Sequence, residues 1–199
     1  MVTNVLLTGV GGQGIITAST ILSQGCRLAG WQVKKSEVHG MSQRGGSVNS
    51  YVRFSPDEQV ASPLIPEGGA DVLVAFEPLE GLRQLKQAAP DATVLVEERR
   101  IVPVTVNLPN LSYPADVLER LMAGARDVRI MNAAAKAIEL GEPRAANTVM
   151  LGALSTLLDL PEDSWREAME LVLKPKAVEV NLRAFEAGRE LVEAQAAGA

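Results

Sequence analysis

The chain alternates between short apolar runs and longer stretches in which apolar residues recur at helical spacing. The short runs predict strands at residues 4–8, 31–38, 47–54, 71–76, 93–96, 101–106 and 127–131. The helical spacing predicts helices at residues 15–29, 77–89, 114–122, 132–140, 145–158, 162–173 and 178–194. Strands that alternate with helices, followed by helices alone, predict a three-layer α/β/α fold with a helical C-terminal part.

The predicted sheet is Rossmann-like and mostly parallel. Residues 71–76 are apolar on both faces, which is typical of a central parallel strand. Residues 31–38 and 47–54 are close enough along the chain to form a hairpin, so a mixed sheet stays possible at this point. Pro90 is expected to close the helix that begins at Glu77.

Length and composition predict one domain over residues 1–199, with a sheet portion at 1–131 and a helical portion at 132–199 packed on it. Hydrophobic residues make up 47% of the chain and aromatic residues 4%, which indicates an aliphatic core. The net charge of -5 argues against nucleic acid as a partner. The chain has no run of 18 apolar residues and no basic-then-apolar leader, so we expect a cytoplasmic protein that is not inserted in a membrane.

One cysteine and one histidine limit the chemistry. Cys26 cannot form an internal disulfide, and a single thiol suits a reducing compartment. An iron–sulfur cluster usually takes four thiolates and structural zinc about four cysteine or histidine ligands. We therefore assign no metal site to this chain, and nucleophilic catalysis of the Ser-His type would have to use His39.

The first glycine motif follows the first predicted strand and precedes the first predicted helix. Gly9, Gly11 and Gly14 fit the pattern G-x-G-x-x-G, in which bare backbone approaches an anion at a helix N-terminus. The pattern alone also suits glycines that only permit close packing of strand and helix, and both interpretations stay open.

Two nucleotide-binding alternatives can be compared with the residues that follow. A P-loop requires Lys and then Ser or Thr after its last glycine, whereas Ile15 and Ile16 follow Gly14. The sequence therefore disfavours ATPase and kinase chemistry. A dinucleotide fold requires an acidic residue about 20 residues beyond the loop. Glu37 is the candidate, although a second glycine-rich loop follows it instead of a helix.

The second glycine-rich stretch, residues 36–47, contains Arg44 directly before Gly45 and Gly46. A guanidinium is a planar and permanently charged donor that suits a carboxylate or a phosphate. A solvated hairpin tip is the alternative explanation.

Together the two stretches resemble the gamma-type subunit or domain of the 2-oxoacid:ferredoxin oxidoreductases. The matching segments are residues 11–14, 42–46, 52–53, 62–63, 70–73, 147–154, 176–181 and 184–188. Residues 36–47 are most similar to the beta subunit of the indolepyruvate branch. The resemblance extends over nearly the whole chain.

The resemblance implies a subunit that is inactive alone. The family oxidatively decarboxylates a 2-oxoacid with coenzyme A to an acyl-CoA, carbon dioxide and reduced ferredoxin. In the indolepyruvate branch, thiamine diphosphate, Mg and [4Fe-4S] clusters belong to a large alpha subunit, which is the implied partner, and ferredoxin interacts with the complex. This chain agrees, because it lacks cluster cysteines and a thiamine-type Gly-Asp-Gly motif. Aryl pyruvates such as indolepyruvate are the implied substrates.

We expect residues 9–14 and 39–46 to lie together at the carboxyl ends of strands and to face the partner. Arg44 is the expected anion-binding residue, for the substrate carboxylate, a CoA phosphate or an acidic partner residue, and Gln13 and Ser42 are expected to supply neutral hydrogen bonds. The predicted anion-, cofactor- or partner-binding residues are Gly9, Gly11, Gly12, Gln13, Gly14, Ser42, Arg44, Gly45 and Gly46.

The remaining polar candidates receive weaker assignments. His39 is a weak catalytic candidate, since a loop histidine more often packs or bonds locally. Glu77 and Glu97 each follow an apolar strand, and neither is assigned a catalytic role. Asn147 and Asn181 lie in apolar helical segments, and we expect them to support the structure because a buried amide requires partners.

Two other functions remain compatible with these residues. A free-standing NAD- or flavin-binding protein would use the G-x-G-x-x-G turn and Glu37. A pure scaffold would use the glycines for packing and the loops for docking.

Overall fold

The computed structural model of the chain describes residues 1–40, 45–101 and 113–197. The strands in these ranges are β1 (Thr3–Val10), β2 (Gln32–His39), β3 (Ser47–Ser55), β4 (Ala70–Ala75), β5 (Ala88–Glu97) and β6 (Asp127–Met131). The helices are α1 (Ile15–Leu28), α2 (Pro78–Gln84), α3 (Val117–Gly124), α4 (Ala133–Glu139), α5 (Ala146–Ser155), α6 (Glu162–Val172) and α7 (Pro175–Ala197). The strand expected at 101–106 lies, beyond Ile101, outside the described residues.

The six described strands form one mixed sheet in the order β2-β3-β1-β4-β5-β6. β1, β4, β5 and β6 pair in parallel, and β3 runs antiparallel to both of its neighbours, β1 and β2. The mixed alternative is therefore confirmed. β1 and β4 are central strands and are apolar on both faces, whereas β2 at the edge alternates and leaves polar residues exposed.

The second predicted helix is shorter than its sequence pattern suggests, and the expected role of Pro90 was wrong. α2 ends at Gln84 and continues only as a 3₁₀ turn, Leu85–Gln87. Pro90 lies inside β5, which begins at Ala88. The prediction failed because a proline tolerated near the start of a strand has the same local sequence signature as one that stops a helix.

Two helical layers enclose the sheet. On one face, alternate residues of the central strands, such as Val5 and Leu7, pack in one apolar cluster with α1 and α4–α7. On the other face, Ala75 and Val96 pack against Leu79 of α2 and Leu121 of α3. The predicted helical C-terminal part is thus present and packs on the sheet.

The closest helix packing in the C-terminal part is the crossing of α5 and α7. A Cβ atom added at Gly152 would overlap the carbonyl oxygen of Phe185, and one added at Gly188 would overlap that of Val149. These glycines let the two backbones touch. α7 is 23 residues long, yet no helix in the described ranges combines the length and apolar character needed to cross a membrane.

Candidate functional site

The glycine turn connects the carboxyl end of β1 to α1. Gly12 and Gly14 have φ angles of +106° and +79°, in the left-handed region that favours glycine. Gly14 is the N-cap residue of α1, and no side chain caps this helix end. The turn therefore presents the start of α1, with its positive dipole end, at the edge of the sheet where β1 ends.

The side chain of Gln13 fastens the turn to the sheet. Its Oε1 accepts a hydrogen bond from the backbone N–H of Val10 at 2.7 Å, and its Nε2 donates to the carbonyl oxygen of Phe76, just beyond β4. A Cβ atom at Gly9 would lie 2.7 Å from Gln13 Oε1. Gly9 thus leaves the space that the glutamine amide occupies. The oxygen and the nitrogen of this one amide join the ends of the neighbouring parallel strands β1 and β4.

Asn147 braces the other side of the turn. Its Nδ2 donates to the carbonyl oxygen of Gly14 at 3.2 Å, and the same Nδ2 occupies the place where a Cβ of Gly14 would lie. Asn181 accepts from the hydroxyl of Thr148 and donates to the carbonyl oxygen of Ala177 at 2.8 Å. These two amides tie α5 to the turn and α7 to α5.

The two glycine-rich segments meet. The backbone N–H of Gly11 donates to the carbonyl oxygen of Gly46 at 2.8 Å. The backbone N–H of Gly45 donates in return to the carbonyl oxygen of Gly11 at 3.4 Å. Ser42 and Arg44, the other predicted residues of this segment, lie outside the described residues. His39 is exposed at the end of β2, where its Nδ1 is 3.4 Å from the carbonyl oxygen of Gly40.

A cavity of about 1080 Å³ opens at the carboxyl ends of β1, β4 and β5. Residues 11–14 form part of its wall together with the first turns of α5 and α7. Among the described residues, four cationic side chains line it, Arg99, Arg144, Lys174 and Lys176, against two carboxylates, Glu97 and Glu142. Glu142 lies 3.7 Å from Arg144 in an ion pair. In a chain of net charge -5, such a lining attracts anions locally.

Glu97 is the buried titratable group of the cavity. Its carboxylate accepts backbone hydrogen bonds from Arg99 and Ala134, both at 3.0 Å, and the residue is 4% exposed. Burial raises the pKa of Glu97, and the nearby Glu98 raises it further, against the lowering effect of the backbone N–H groups.

Sequence reasoning missed most of the cavity lining. The cationic residues Arg144, Lys174 and Lys176 precede or begin helices far along the chain from the glycine turn. Basic residues near helix starts can indicate a functional residue in a sequence, because a positive charge there opposes the helix dipole. Nothing local, however, indicates which helix starts converge on one cavity.

Residues 4–191 match a protein-family model described as pyruvate ferredoxin/flavodoxin oxidoreductase. The chain belongs to this family. The resemblance found in the two glycine-rich stretches is thereby confirmed.

Relatives that match this chain over most of their own length are named as subunits of enzymes. The chain is 40% identical to "Indolepyruvate oxidoreductase subunit IorB" of Thermococcus kodakarensis over 93% of both chains, and 40% identical to the subunit of the same name from Pyrococcus horikoshii, again over 93% of both. Relatives named as ketoisovalerate oxidoreductase and 2-oxoglutarate synthase subunits match at 27–32% identity.

The fold is shared with solved structures. The keto/oxoacid ferredoxin oxidoreductase gamma subunit from Geobacter sulfurreducens superposes with a TM-score of 0.70 at 24% identity, covering 96% of this chain and 99% of that one. The α/β prediction is therefore confirmed by an experimental structure of matching length.

The structure gives no support to the alternative of a free-standing dinucleotide-binding protein, and the similar proteins are named as enzyme subunits. Glu37 lies 2.7 Å from Lys35 in an ion pair on edge strand β2, and the antiparallel β3 separates that strand from β1. In the dinucleotide fold the acidic residue ends a strand that is parallel and adjacent to the first.

The chain contains one cysteine, and an iron–sulfur cluster usually takes four thiolates. Cys26 is buried, and burial raises its pKa to about 12, so its thiol is protonated and unreactive. Within residues 1–40, 45–101 and 113–197, no three side chains of His, Cys, Asp or Glu group closely enough to hold a metal ion.

Proposed function

We propose that the chain is the subunit without thiamine and without clusters of an indolepyruvate, or aryl pyruvate, ferredoxin oxidoreductase. The complex oxidatively decarboxylates the oxoacid with CoA to an aryl-acetyl-CoA, carbon dioxide and reduced ferredoxin. The observation that carries this proposal is the 40% identity to IorB subunits over 93% of both chains, above the 27–32% identity to subunits named for other oxoacids.

The partner is a large alpha subunit in the cytoplasm. It would hold thiamine diphosphate with Mg, which would supply the chemistry of decarboxylation, and [4Fe-4S] clusters, which would supply electron transfer to ferredoxin. The single buried thiol Cys26 supports this division of labour, because it leaves no thiolates for a cluster. Residues 1–199 act as one domain, in which the helical portion at 132–199 packs on the sheet portion.

The role of this chain is to bind and orient. The glycine turn, the 39–46 segment and the basic cavity face the partner, and the cavity takes the anionic part of CoA. Arg44 holds an anion with its planar fork, while Ser42, Gly45 and Gly46 bring backbone and hydroxyl groups close to it. The four cations of the cavity and the adjacent start of α1 support an anionic ligand.

Reconstitution with the large subunit tests the proposal. The chain alone should not reduce a viologen dye, and the complex should reduce it only with both CoA and an oxoacid. Indolepyruvate and phenylpyruvate should be preferred over pyruvate, 2-oxoglutarate and 2-ketoisovalerate in kcat/KM. A preference for 2-oxoglutarate, or tight binding of NADH or FMN by the isolated chain, would contradict it.

Arg44→Lys tests the anion-binding role. The substitution keeps the charge and removes the planar fork, so turnover or assembly should fall. Arg27→Lys is the matched control, because Arg27 is exposed on α1 and bonds only locally with Gln24. If Arg44 or Gln13 variants weaken assembly but leave the assembled complex fully active, the scaffold function is favoured instead.

A further inference from the structure

Glu77 is a completely buried carboxylate directly after β4, at 0% exposure. Its Oε2 accepts from the backbone N–H of Glu80 at 2.9 Å, which caps α2. Its Oε1 accepts from the hydroxyl of Tyr113 at 2.6 Å and from the backbone N–H of Ile101 at 3.4 Å. One side chain therefore caps the helix that follows it and also joins that helix to Ile101 and Tyr113, which are 24 and 36 positions away in the sequence.

One of these segments forms a wall of the cavity. Residues 97–101 leave the end of β5, and Glu97, Arg99 and Ile101 line the cavity. Glu97 holds the near end of the segment through Arg99 N–H and Ala134 N–H. Glu77 holds the far end through Ile101 N–H, although Glu77 itself does not line the cavity.

Tyr113 completes this arrangement from the other direction. Its ring lies beneath the guanidinium of Arg100, whose carbon is 5.5 Å from the ring centre, and Arg100 also donates to the carbonyl oxygen of Ala115. Burial and the neighbouring Glu77 carboxylate raise the pKa of Tyr113, so the phenol stays a proton donor. The carboxylate, the phenol and the backbone of 99–101 thus form one connected unit.

The energetic consequence is asymmetric. A buried carboxylate needs each of its hydrogen bonds. Losing one donor leaves a buried charge less well compensated in a medium of low dielectric constant, which lowers the stability of the folded state. The wall segment must then move, or the carboxylate must find another donor. A movement of the wall segment displaces Arg99, a cation of the cavity wall.

We infer that Glu77 is a positioning residue, with Tyr113 as its partner, that sets the wall at 97–101 and thereby the place of Arg99 in the cavity. The inference rests on the proposed function, in which this cavity takes the anionic part of CoA. Neither Glu77 nor Tyr113 touches the ligand; both act through the wall.

Tyr113→Phe in the reconstituted complex is the primary test, with Tyr51→Phe as control. Tyr51 is half-buried in β3, where its ring packs in the apolar cluster of Leu6 and Leu73. Tyr113→Phe should raise the KM for CoA about fivefold, the equivalent of one hydrogen bond. The kcat and the KM for indolepyruvate should stay within about twofold, and Tyr51→Phe should change none of these constants.

A double substitution separates positioning from a general loss of structure. Arg99→Gln should raise the KM for CoA, and adding Tyr113→Phe to it should raise that KM no further, because the wall then has no cation to place. Fully additive effects would overturn the inference, as would an unchanged KM for CoA in Tyr113→Phe. Glu77→Gln should reproduce the Tyr113→Phe phenotype more strongly if it folds.

Hydrogen exchange of the isolated chain gives a readout independent of activity. The amides of residues 98–101 should exchange faster in Tyr113→Phe than in Tyr51→Phe, while those of α5 should not change. Equal exchange in the two variants would overturn the inference. A wild-type complex that reduces no dye with any 2-oxoacid would instead contradict the proposed function, and the exchange result would still decide the role of Tyr113.

Discussion

The crossing of α5 and α7 and the rim of the cavity at the glycine turn are both rich in glycine, yet glycine serves them differently. At the crossing, Gly152 and Gly188 let two helix backbones touch. At the rim, Gly9 and Gly14 leave space for the polar amides of Gln13 and Asn147, which bond to backbone groups. The first contact is steric and apolar, and the second is polar and directional.

This difference separates the two regions energetically. A packed helix crossing has no room to absorb an added atom, so its changes cost stability directly. A hydrogen-bonded rim keeps its groups in place through single bonds of about 1 kcal/mol each, so its changes alter geometry more than stability. We therefore expect stability to depend on the crossing and ligand affinity on the rim.

Gly152→Ala should give the largest loss of stability. The new Cβ would overlap the carbonyl oxygen of Phe185, and the helices would have to separate. We expect a loss of about 3 kcal/mol in the free energy of unfolding. Urea unfolding measures it, and Tm should fall by about 6–12 °C.

Gly40→Ala is the matched control, since no atom of the residues that the structure describes lies within 4 Å of a Cβ at that position. Its unfolding free energy should stay within about 0.5 kcal/mol of the wild type. Equal losses in the free energy of unfolding for Gly40→Ala and Gly152→Ala would show that the crossing of α5 and α7 is no more sensitive to an added methyl group than an open position is.

Gln13→Ala should have an intermediate effect. It leaves the N–H of Val10 and the carbonyl oxygen of Phe76 without partners, which costs about 2 kcal/mol. The same variant should raise the KM for CoA of the complex, because the turn loses its link to β4. Gln24→Ala, which removes an exposed amide from α1, should do neither. A rim that keeps its CoA affinity in Gln13→Ala would contradict the division between the two regions.

Glu97→Gln should change the pH dependence of stability. The pKa of Glu97 is raised in the folded chain, so the folded state holds this proton more tightly than the unfolded state does. At pH values below the ordinary pKa of glutamate, Glu97 is protonated in both states and its burial as an acid costs no stability. The loss of stability grows as the pH rises above 4.5, where the unfolded state releases the proton first. The stability of Glu97→Gln relative to wild type should accordingly increase from pH 4 to pH 7.

Chemical unfolding at several pH values measures that slope. Glu139→Gln, at an exposed position on α4, should show the same dependence of stability on pH as the wild type. If stability depends on pH in the same way in Glu97→Gln and in the wild type, burial does not raise the pKa of this carboxyl group.

Lys176→Gln should have the smallest effect on stability. Lys176 is exposed in the first turn of α7, where a positive charge opposes the helix dipole, so the change should stay within about 0.5 kcal/mol. The KM for CoA should nevertheless rise about two- to threefold at low salt and less at high salt. Lys86→Gln, at the amino end of β5 and beside Glu67, should leave the KM unchanged.

Much of the fold was predictable because its signals are local. β1, β4 and β5 are buried on both faces over most of their length and are mostly apolar there. The turn after β1 needs glycine at Gly12 and Gly14. Pro90 shows the limit of such signals, since one residue type fits both a helix end and a strand start.

The candidate site was predictable only in part. The pattern G-x-G-x-x-G located the turn, but it did not say whether an anion or a protein amide occupies the space beside the glycines. Gln13 and Asn147 answer that question for Gly9 and Gly14, and Asn147 is 133 residues from its partner Gly14. No local pattern specifies such a contact.

The amino-acid order alone determined the alternation of strands and helices, the helical C-terminal part and the relation to an oxidoreductase family. Burial imposes the strand and helix patterns on each short segment separately, and the motifs that carry the family resemblance are equally local, so both can be recognised one segment at a time. Tertiary structure alone decided which strand ends and helix starts converge on the cavity, and that one buried carboxylate, Glu77, holds Ile101 and Tyr113 together. Such contacts depend on how the layers pack, and packing is a property of all segments at once.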